Sequence, residues 1–195
     1  MTLPIVIILG AYLLGSVPTG LLLAKAFGDM DIRTTGSGNI GATNVYRTLG
    51  RKVGIMTLAG DCLKGLAPVL AAKYAGLPDL WVALAGLAAF LGHVYTVFLG
   101  FKGGKGVATA LGVFLGLSPL AVLPALAVFV GVVLKWRYVS LGSIIAAAVM
   151  PIFVAVLDHR LVVIAVTAAI GCIIIQKHKE NIRRLQEGTE SKFKG

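Results

Sequence analysis

The apolar residues of this chain come in long runs punctuated by charge, and that pattern restricts the fold more than any other feature. Crossing a hydrocarbon core of roughly 30 Å takes about 20 apolar residues in helical form. Five runs reach or approach that length, at 3–27, 53–75, 80–101, 120–134 and 139–157. A shorter run at 161–175 precedes a basic tail, and another at 107–117 ends in Ser118-Pro119, a turn signal joining it to the next run. With 57% hydrophobic and 13% charged residues spread over 195 positions, a soluble enzyme on a single anchor is excluded. The pattern predicts an all-α polytopic membrane protein of about seven transmembrane helices, some of them short. Ala24-Lys25-Ala26 loosely matches a signal-peptidase site, but no basic residue precedes the first run and six further segments follow, so the first helix is expected to be retained.

The formal net charge of +10 calls for a topological explanation before a functional one. Fifteen of the eighteen Lys and Arg fall in the tail or in gaps of odd number: Lys25, Arg33, Arg47, Arg51 and Lys52 after the first run, Lys102 and Lys105 after the third, Lys135 and Arg137 after the fifth. The positive-inside bias then predicts an N-terminus outside and a cytoplasmic C-terminus. A re-entrant hairpin at 107–134 would leave that parity unchanged. Orientation accounts for most of these cations, and no nucleic acid partner is expected. Cys62 and Cys172 sit in apolar runs without metal-ligand spacing and read as core; no metal site is expected.

One domain, 1–195, is expected, and its only sizeable polar segments, 28–52, 99–109 and 176–195, all fall on the cytoplasmic side. In the first, Gly36, Gly38 and Gly41 match G-x-G-x-x-G, but no strand precedes them and no βαβ unit follows, so a Rossmann site is disfavoured. What survives is local physics. Gly38, Asn39 and Gly41 let backbone N–H groups approach an anion, Ser37, Thr43 and Asn44 add donors, and Arg47 offers a planar fork for phosphate oxygens.

The second segment sets Lys102, Gly103, Gly104, Lys105 and Gly106 at the start of a short helix. Gly106 stands where a Walker A loop needs Ser or Thr, which argues against nucleotide hydrolysis, yet amides, helix dipole and ammonium groups still converge on an anion site. In the tail, His178, Asn181, Ile182 and Leu185 fall within one helical sector of about 100°, so a His and an Asn share the inward face and need partners there. Gly188 marks the helix end. Within the spans, Asp61 and Lys64 would each cost about 2.5–3.5 kcal/mol at mid-bilayer if unpaired. They read as an i, i+3 pair or as support behind the loop site; His93 and Ser140 read as further supporting residues, His93 mainly structural.

Together the three segments resemble the bacterial integral-membrane acyl-phosphate:glycerol-3-phosphate acyltransferases, the PlsY family. Its Ser-Gly-Asn-x-Gly-Ala-Thr-Asn stretch with a following Arg stands here at 37–44 with Arg47, its Lys-Gly-Gly-Lys-Gly-Val-Ala-Thr stretch at 102–109, and its His-x-x-Asn-Ile-x-Arg-Leu tail at 178–185, followed by Gly188 and Glu190. Thr96 departs from the pattern, in which a proline follows the His93 region. The resemblance implies transfer of a fatty acyl group from acyl phosphate to the 1-hydroxyl of sn-glycerol 3-phosphate, giving lysophosphatidic acid and phosphate. It also implies a bacterial inner-membrane location, no cofactor, and membrane lipid as surroundings; a monomer is the expected state.

By the same resemblance, Ser37, Arg47, Lys105, His178 and Asn181 would be catalytic, with Thr43 and the loop glycines holding phosphate. The other glycerol-phosphate acyltransferase type needs His-x-x-x-x-Asp, which none of His93, His159 and His178 begins. The competing class is a transporter or binding protein for a phosphorylated solute or headgroup. Inverted repeats and broken helices around mid-membrane polar sites mark such proteins, whereas this chain shows no repeat and its conspicuous polar residues cluster at one face. The working expectation is that Ser37, Lys105 and Asn181 face a common pocket on the inner-leaflet side.

Overall fold

The computed structural model describes residues 2–193, whose regular elements are all helices, with no strand among the described residues. The helices are α1 (Thr2–Ser16), α2 (Thr19–Gly28), α3 (Ala42–Tyr74), α4 (Asp79–Val94), α5 (Val107–Leu117), α6 (Pro119–Trp136), α7 (Val139–Leu157), α8 (Leu161–Lys177) and α9 (Lys179–Gln186). They form two compact units, dividing between Leu117 and Ser118.

Five segments are long and apolar enough to cross a membrane: Thr2–Gly28, Ala42–Tyr74, Asp79–Leu99, Pro119–Trp136 and Val139–Leu157. Leu161–Lys177 and Lys179–Gln186, bent 55° apart, make a sixth if taken as one. The eleven residues of α5 rise only about 16 Å, half a bilayer core. Large apolar side chains such as Val6, Leu63, Leu120, Leu123, Ile152 and Leu161 are exposed. On a soluble protein such a surface would aggregate; on helices of this length it faces acyl chains.

In the first unit the interior is built from small residues, because helices in lipid gain from close backbone approach more than from apolar bulk. Gly15 lies against the Ala89 backbone and Gly92 against Tyr12 and Ser16, joining α1 to α4; Gly65 and Gly112 do the same for α3 and α5, against Thr109 and Cys62. Two breaks interrupt the spans. Between α1 and α2 the helix breaks at Val17-Pro18, and the Val17 carbonyl accepts from Thr19 N–H at 3.0 Å and from Lys64 Nζ at 2.7 Å instead of from the next helical turn. In α3, Gly50 takes φ 84°, ψ 179°, and the 42–49 turns fold back so that Tyr46 meets Gly54.

In the second unit α6, α7 and α8 pack each on the next, Gly142 against Phe129 and Val133, and Gly171 against the Ala147 backbone. Between α7 and α8, Arg160 grips Asp158 through Nε at 2.5 Å. The Arg160 hydrogen bond, helped by the Ser118 hydroxyl, holds the Asp158 carboxyl down to about 2. The tail after α9 returns to the α6–α7 turn, where Phe193 N–H donates to the Arg137 carbonyl at 2.6 Å and Arg137 Nε donates to the Phe193 carbonyl at 3.1 Å. The cysteines are not core as the sequence suggests: Cys62 is half-buried and Cys172 exposed. The buried stripe of α8 runs through Val163, Val166, Thr167, Ile170 and Ile174, and position 172 falls off it.

Candidate active site

The 28–52 segment begins with a short 3₁₀ turn, Ile32–Thr34, whose first N–H groups need an acceptor. Asp31 supplies it, accepting from Arg33 N–H at 3.0 Å and from Arg33 Nε at 2.9 Å. The Arg33 side-chain and backbone hydrogen bonds hold the Asp31 carboxyl at about 2, so this turn keeps an internal ion pair. Gly36 (φ 60°) and Gly38 (φ 68°) then bend the chain in a way L side chains resist.

The bend closes around Asn44. Its Oδ1 accepts from Ser37 N–H at 3.0 Å, while Nδ2 is shared among the carbonyls of Ile32, Thr35 and Asn39 at 3.2, 3.0 and 2.9 Å. Asn39 Oδ1 accepts from Gly41 N–H at 2.8 Å. These two asparagines, expected to face phosphate, spend those contacts inside the loop: Asn44 is buried and shapes the cradle rather than lining it. Ser37, Gly38 and Arg47 lie exposed on the outer side, and Gly41 and Thr43 are half-exposed. Beneath them Leu21, Ala24, Ile32, Ile40, Val45 and Val53 form an apolar floor.

Leu99 packs on that same floor, so the first and second segments share a foundation. The chain from Gly100 to Gly106 is laid over the end of α4. Gly103 N–H donates to the Val94 carbonyl and Gly104 N–H to the His93 carbonyl, each at 3.2 Å. A methyl on Gly103 would strike the His93 carbonyl, one on Gly104 would strike His93 Nε2, and Gly106 (φ 80°) sits against Phe90. The glycines are thus demanded by contact as well as by conformation. Lys102 is exposed and Lys105 half-buried at the head of α5.

Behind this loop lies the buried ionic group that the sequence places in the spans. Asp61 Oδ1 is 2.8 Å from Lys64 Nζ and 3.7 Å from His93 Nδ1. The i, i+3 pair is present, and His93, read as mainly structural, joins it and touches the loop. Thr96 also has a local role, its hydroxyl donating to the Ser16 carbonyl at 2.6 Å.

In the second unit, His178 stands at the α8–α9 corner, buried, with Nδ1 2.7 Å from the Ile174 carbonyl. A carbonyl only accepts, so Nδ1 carries the hydrogen and the chemistry of this ring rests on Nε2. Asn181 is buried one turn on, and its Nδ2 donates to Glu190 Oε1 at 2.7 Å. The Ser140 hydroxyl donates to the same oxygen at 2.7 Å, and Arg184 Nε donates to Glu190 Oε2 at 2.7 Å. Burial pushes the Glu190 carboxyl up, but the Arg184, Ser140 and Asn181 hydrogen bonds outweigh it and leave it below the usual carboxylate range. Glu190 and Arg184 carry no assigned role in the sequence reading. Nothing local marks Glu190, because two of its partners lie 50 and 9 residues away.

Ser37 and Lys105 therefore belong to the first unit, His178, Asn181 and Ser140 to the second. Among the described residues no three His, Cys, Asp or Glu side chains group as a metal site. The first unit offers glycine-exposed backbone with ammonium and guanidinium groups, and the second offers amide and imidazole groups; each is chemically suited to phosphate or carbonyl oxygens.

The family model for glycerol-3-phosphate acyltransferase matches residues 5–188. The glycerol-3-phosphate acyltransferase of Geobacter metallireducens is 73% identical, and that of Geotalea daltonii 69%, each over 100% of both chains. Among solved structures, the glycerol 3-phosphate form of PlsY, an integral membrane glycerol 3-phosphate acyltransferase, superposes with a TM-score of 0.93 at 45% identity, covering 98% of this chain and 96% of that one. Its lysophosphatidic acid form gives 0.90 at 44% identity, covering 98% and 95%. A membrane protein of this helical architecture, with all three motifs in order, belongs to the glycerol-3-phosphate acyltransferase family.

Proposed function

We propose that this chain transfers a fatty acyl group from acyl phosphate to the 1-hydroxyl of sn-glycerol 3-phosphate, giving lysophosphatidic acid and inorganic phosphate in phospholipid synthesis. The observation that carries the reading is the 102–106 loop, pressed so closely on His93 that only glycine fits and flanked by Lys102 and Lys105. Such a surface presents backbone and positive charge to an anion and nothing else.

Acyl phosphate is a mixed anhydride with a good leaving group, so the main task is to bring two anions together and neutralise their repulsion. The new bond joins O1 of glycerol 3-phosphate to the acyl carbon; the bond from that carbon to the phosphate oxygen breaks. The hydroxyl proton passes to a substrate phosphate oxygen, and no protein nucleophile is needed. In the first unit Ser37, Arg47 and Lys105 serve as phosphate and carbonyl donors, with Gly38, Gly41, Thr43, Lys102, Gly103, Gly104 and Gly106 completing the cradle; in the second, His178 and Asn181 serve as donors of the same kind.

At about 16 Å, α5 is half a bilayer core in length. Counting α5 as a short crossing gives seven, with the N-terminus outside, the C-terminus cytoplasmic and the site facing the cytoplasm of the bacterial inner membrane. The enzyme acts as a single chain surrounded by lipid and without a cofactor.

The test is detergent-solubilised protein incubated with acyl phosphate and glycerol 3-phosphate, each alone and both together. Phosphate release that requires both substrates is expected. No release, beside counterflow of glycerol 3-phosphate in vesicles, would turn the reading to a carrier.

A further inference from the structure

The buried ionic group poses a physical problem. Asp61, Lys64 and His93 are 2%, 5% and 3% exposed, in the interior of a protein that spans lipid, where apolar residues would be cheaper. Two members have evident reasons. Lys64 donates to the Val17 carbonyl at the break between α1 and α2, and Asp61 neutralises Lys64 at 2.8 Å. His93 has none of this kind: its Nδ1 is buried without a hydrogen bond, 3.7 Å from Asp61. A satisfied core histidine would have a closer partner.

The other side of the ring touches the loop. His93 Nε2 lies where a Gly104 side chain would be, and the His93 carbonyl receives Gly104 N–H at 3.2 Å. A single residue thus supports the glycine–lysine loop with both backbone and ring, while Asp61 faces the ring's far edge. We propose that His93 and Asp61 are positioning residues for the 102–106 loop: the imidazole forms the floor that sets the path of Gly104, and the Asp61 carboxylate fixes the ring. Neither touches substrate; both act through the loop that presents Lys105. The inference rests on the reading of that loop as the phosphate cradle.

The experiment is a double-mutant cycle on His93→Ala and Gly104→Ala, with glycerol 3-phosphate affinity measured by calorimetry, KM and kcat by phosphate release, and thermal midpoint as a fold control. His93→Ala leaves the Asp61–Lys64 pair intact. It is expected to weaken glycerol 3-phosphate binding and raise its KM at least tenfold, with kcat within threefold of wild type. Gly104→Ala alone, forced against the ring, is expected to cost more than thirtyfold; added to His93→Ala, where the methyl has room, it should cost less than threefold. His93→Gln, whose amide reaches the place of Nε2, should recover most of the affinity. Asp61→Asn should reproduce the KM rise; if it does not fold, the cycle decides alone.

Independent, multiplicative losses would overturn the proposal. So would an unchanged KM in His93→Ala, or losses that merely track a fall in thermal midpoint. Wild-type protein that binds glycerol 3-phosphate without releasing phosphate from acyl phosphate would sink the transferase reading and leave the floor to be judged on the affinities. Wild-type protein that binds none would overturn both.

Discussion

Lys105 stands between Gly104 and Gly106 at the head of α5, on a loop whose path is set by contacts to α4. Its replacement keeps the Gly103 and Gly104 backbone bonds to α4 and, on the proposed reading, removes a charge from the anion site. Lys105→Ala is therefore expected to lower turnover at least about 100-fold, the scale of an oxyanion donor, with little change in thermal midpoint. Phosphate release and a melting curve on the same sample check this; wild-type-like turnover would remove the cradle. His178 is held by its Nδ1–H on the Ile174 carbonyl, so on the proposed reading any donor or base role falls to Nε2. If a substrate phosphate takes the proton, His178→Gln keeps most of kcat and raises KM; a collapse of kcat at saturating substrate would make the imidazole the base.

Residue chemistry of this kind was legible in the sequence because it depends on local spacing: lysines among glycines, or His and Asn three apart on one helix face. Asn44 shows where local reading stops. The residue type says donor, but which acceptors it meets depends on how Gly36 and Gly38 turn the loop around it. Glu190 was beyond reach for a related cause. It lies in a stretch without periodicity, and its partners come from the head of α7 and from α9.

Among the elements, the returning tail and the broken helix each carry an expectation. Glu190 is bound by three donors and titrates below its ordinary 4.5. A depressed carboxylate contributes stability that is complete above the unfolded value and lost as pH falls through the lower folded value. The tail should therefore stay docked at neutral pH and loosen in acid below 4.5. Hydrogen exchange at Phe193, whose N–H meets the Arg137 carbonyl, reports this, and Glu190→Gln should speed that exchange at pH 7, the lost charge-assisted bonds being worth about 2 kcal/mol.

Gly50 lies in open space, so no clash opposes a side chain there, but its φ of 84° does. Gly50→Ala should destabilise by about 1–2 kcal/mol through backbone strain alone. Gly50→Asn, which tolerates positive φ better, should cost less, and melting midpoints of the two variants test the order. Neither this break nor the one at Pro18 stands out in hydropathy, since both sit within or beside runs that read as continuous. What hydropathy does mark, the apolar runs themselves, became helices, apart from the break at Val17-Pro18 and the end of the third run, where α4 stops at Val94.

Across the whole molecule, charge asymmetry fixes an expected orientation. Fifteen of eighteen cations lie at the tail and at the ends of odd-numbered runs, and seven crossings then put the tail inside. A fluorescent protein fused after Gly195 should mature and fluoresce, whereas a secreted-phosphatase fusion at the same point should be inactive. The reverse pattern would place the three motifs on the wrong side for a cytoplasmic acyl donor. The all-helical membrane class was readable from run length alone. The number of crossings was not, because α5 is half the usual length and α8 continues through a 55° bend into α9.

The Val17 carbonyl, met locally by Thr19 N–H, takes its second and charged partner, Lys64, from 47 positions later in the chain. During synthesis, the N-terminal segment leaves the ribosome long before Lys64 does, and a broken helix with an exposed carbonyl is a poor occupant of bare lipid. Its two halves are expected to settle fully only once the second long helix brings the Lys64 ammonium to that carbonyl. The break thereby ties the final packing of the opening helix to the arrival of the one that follows it.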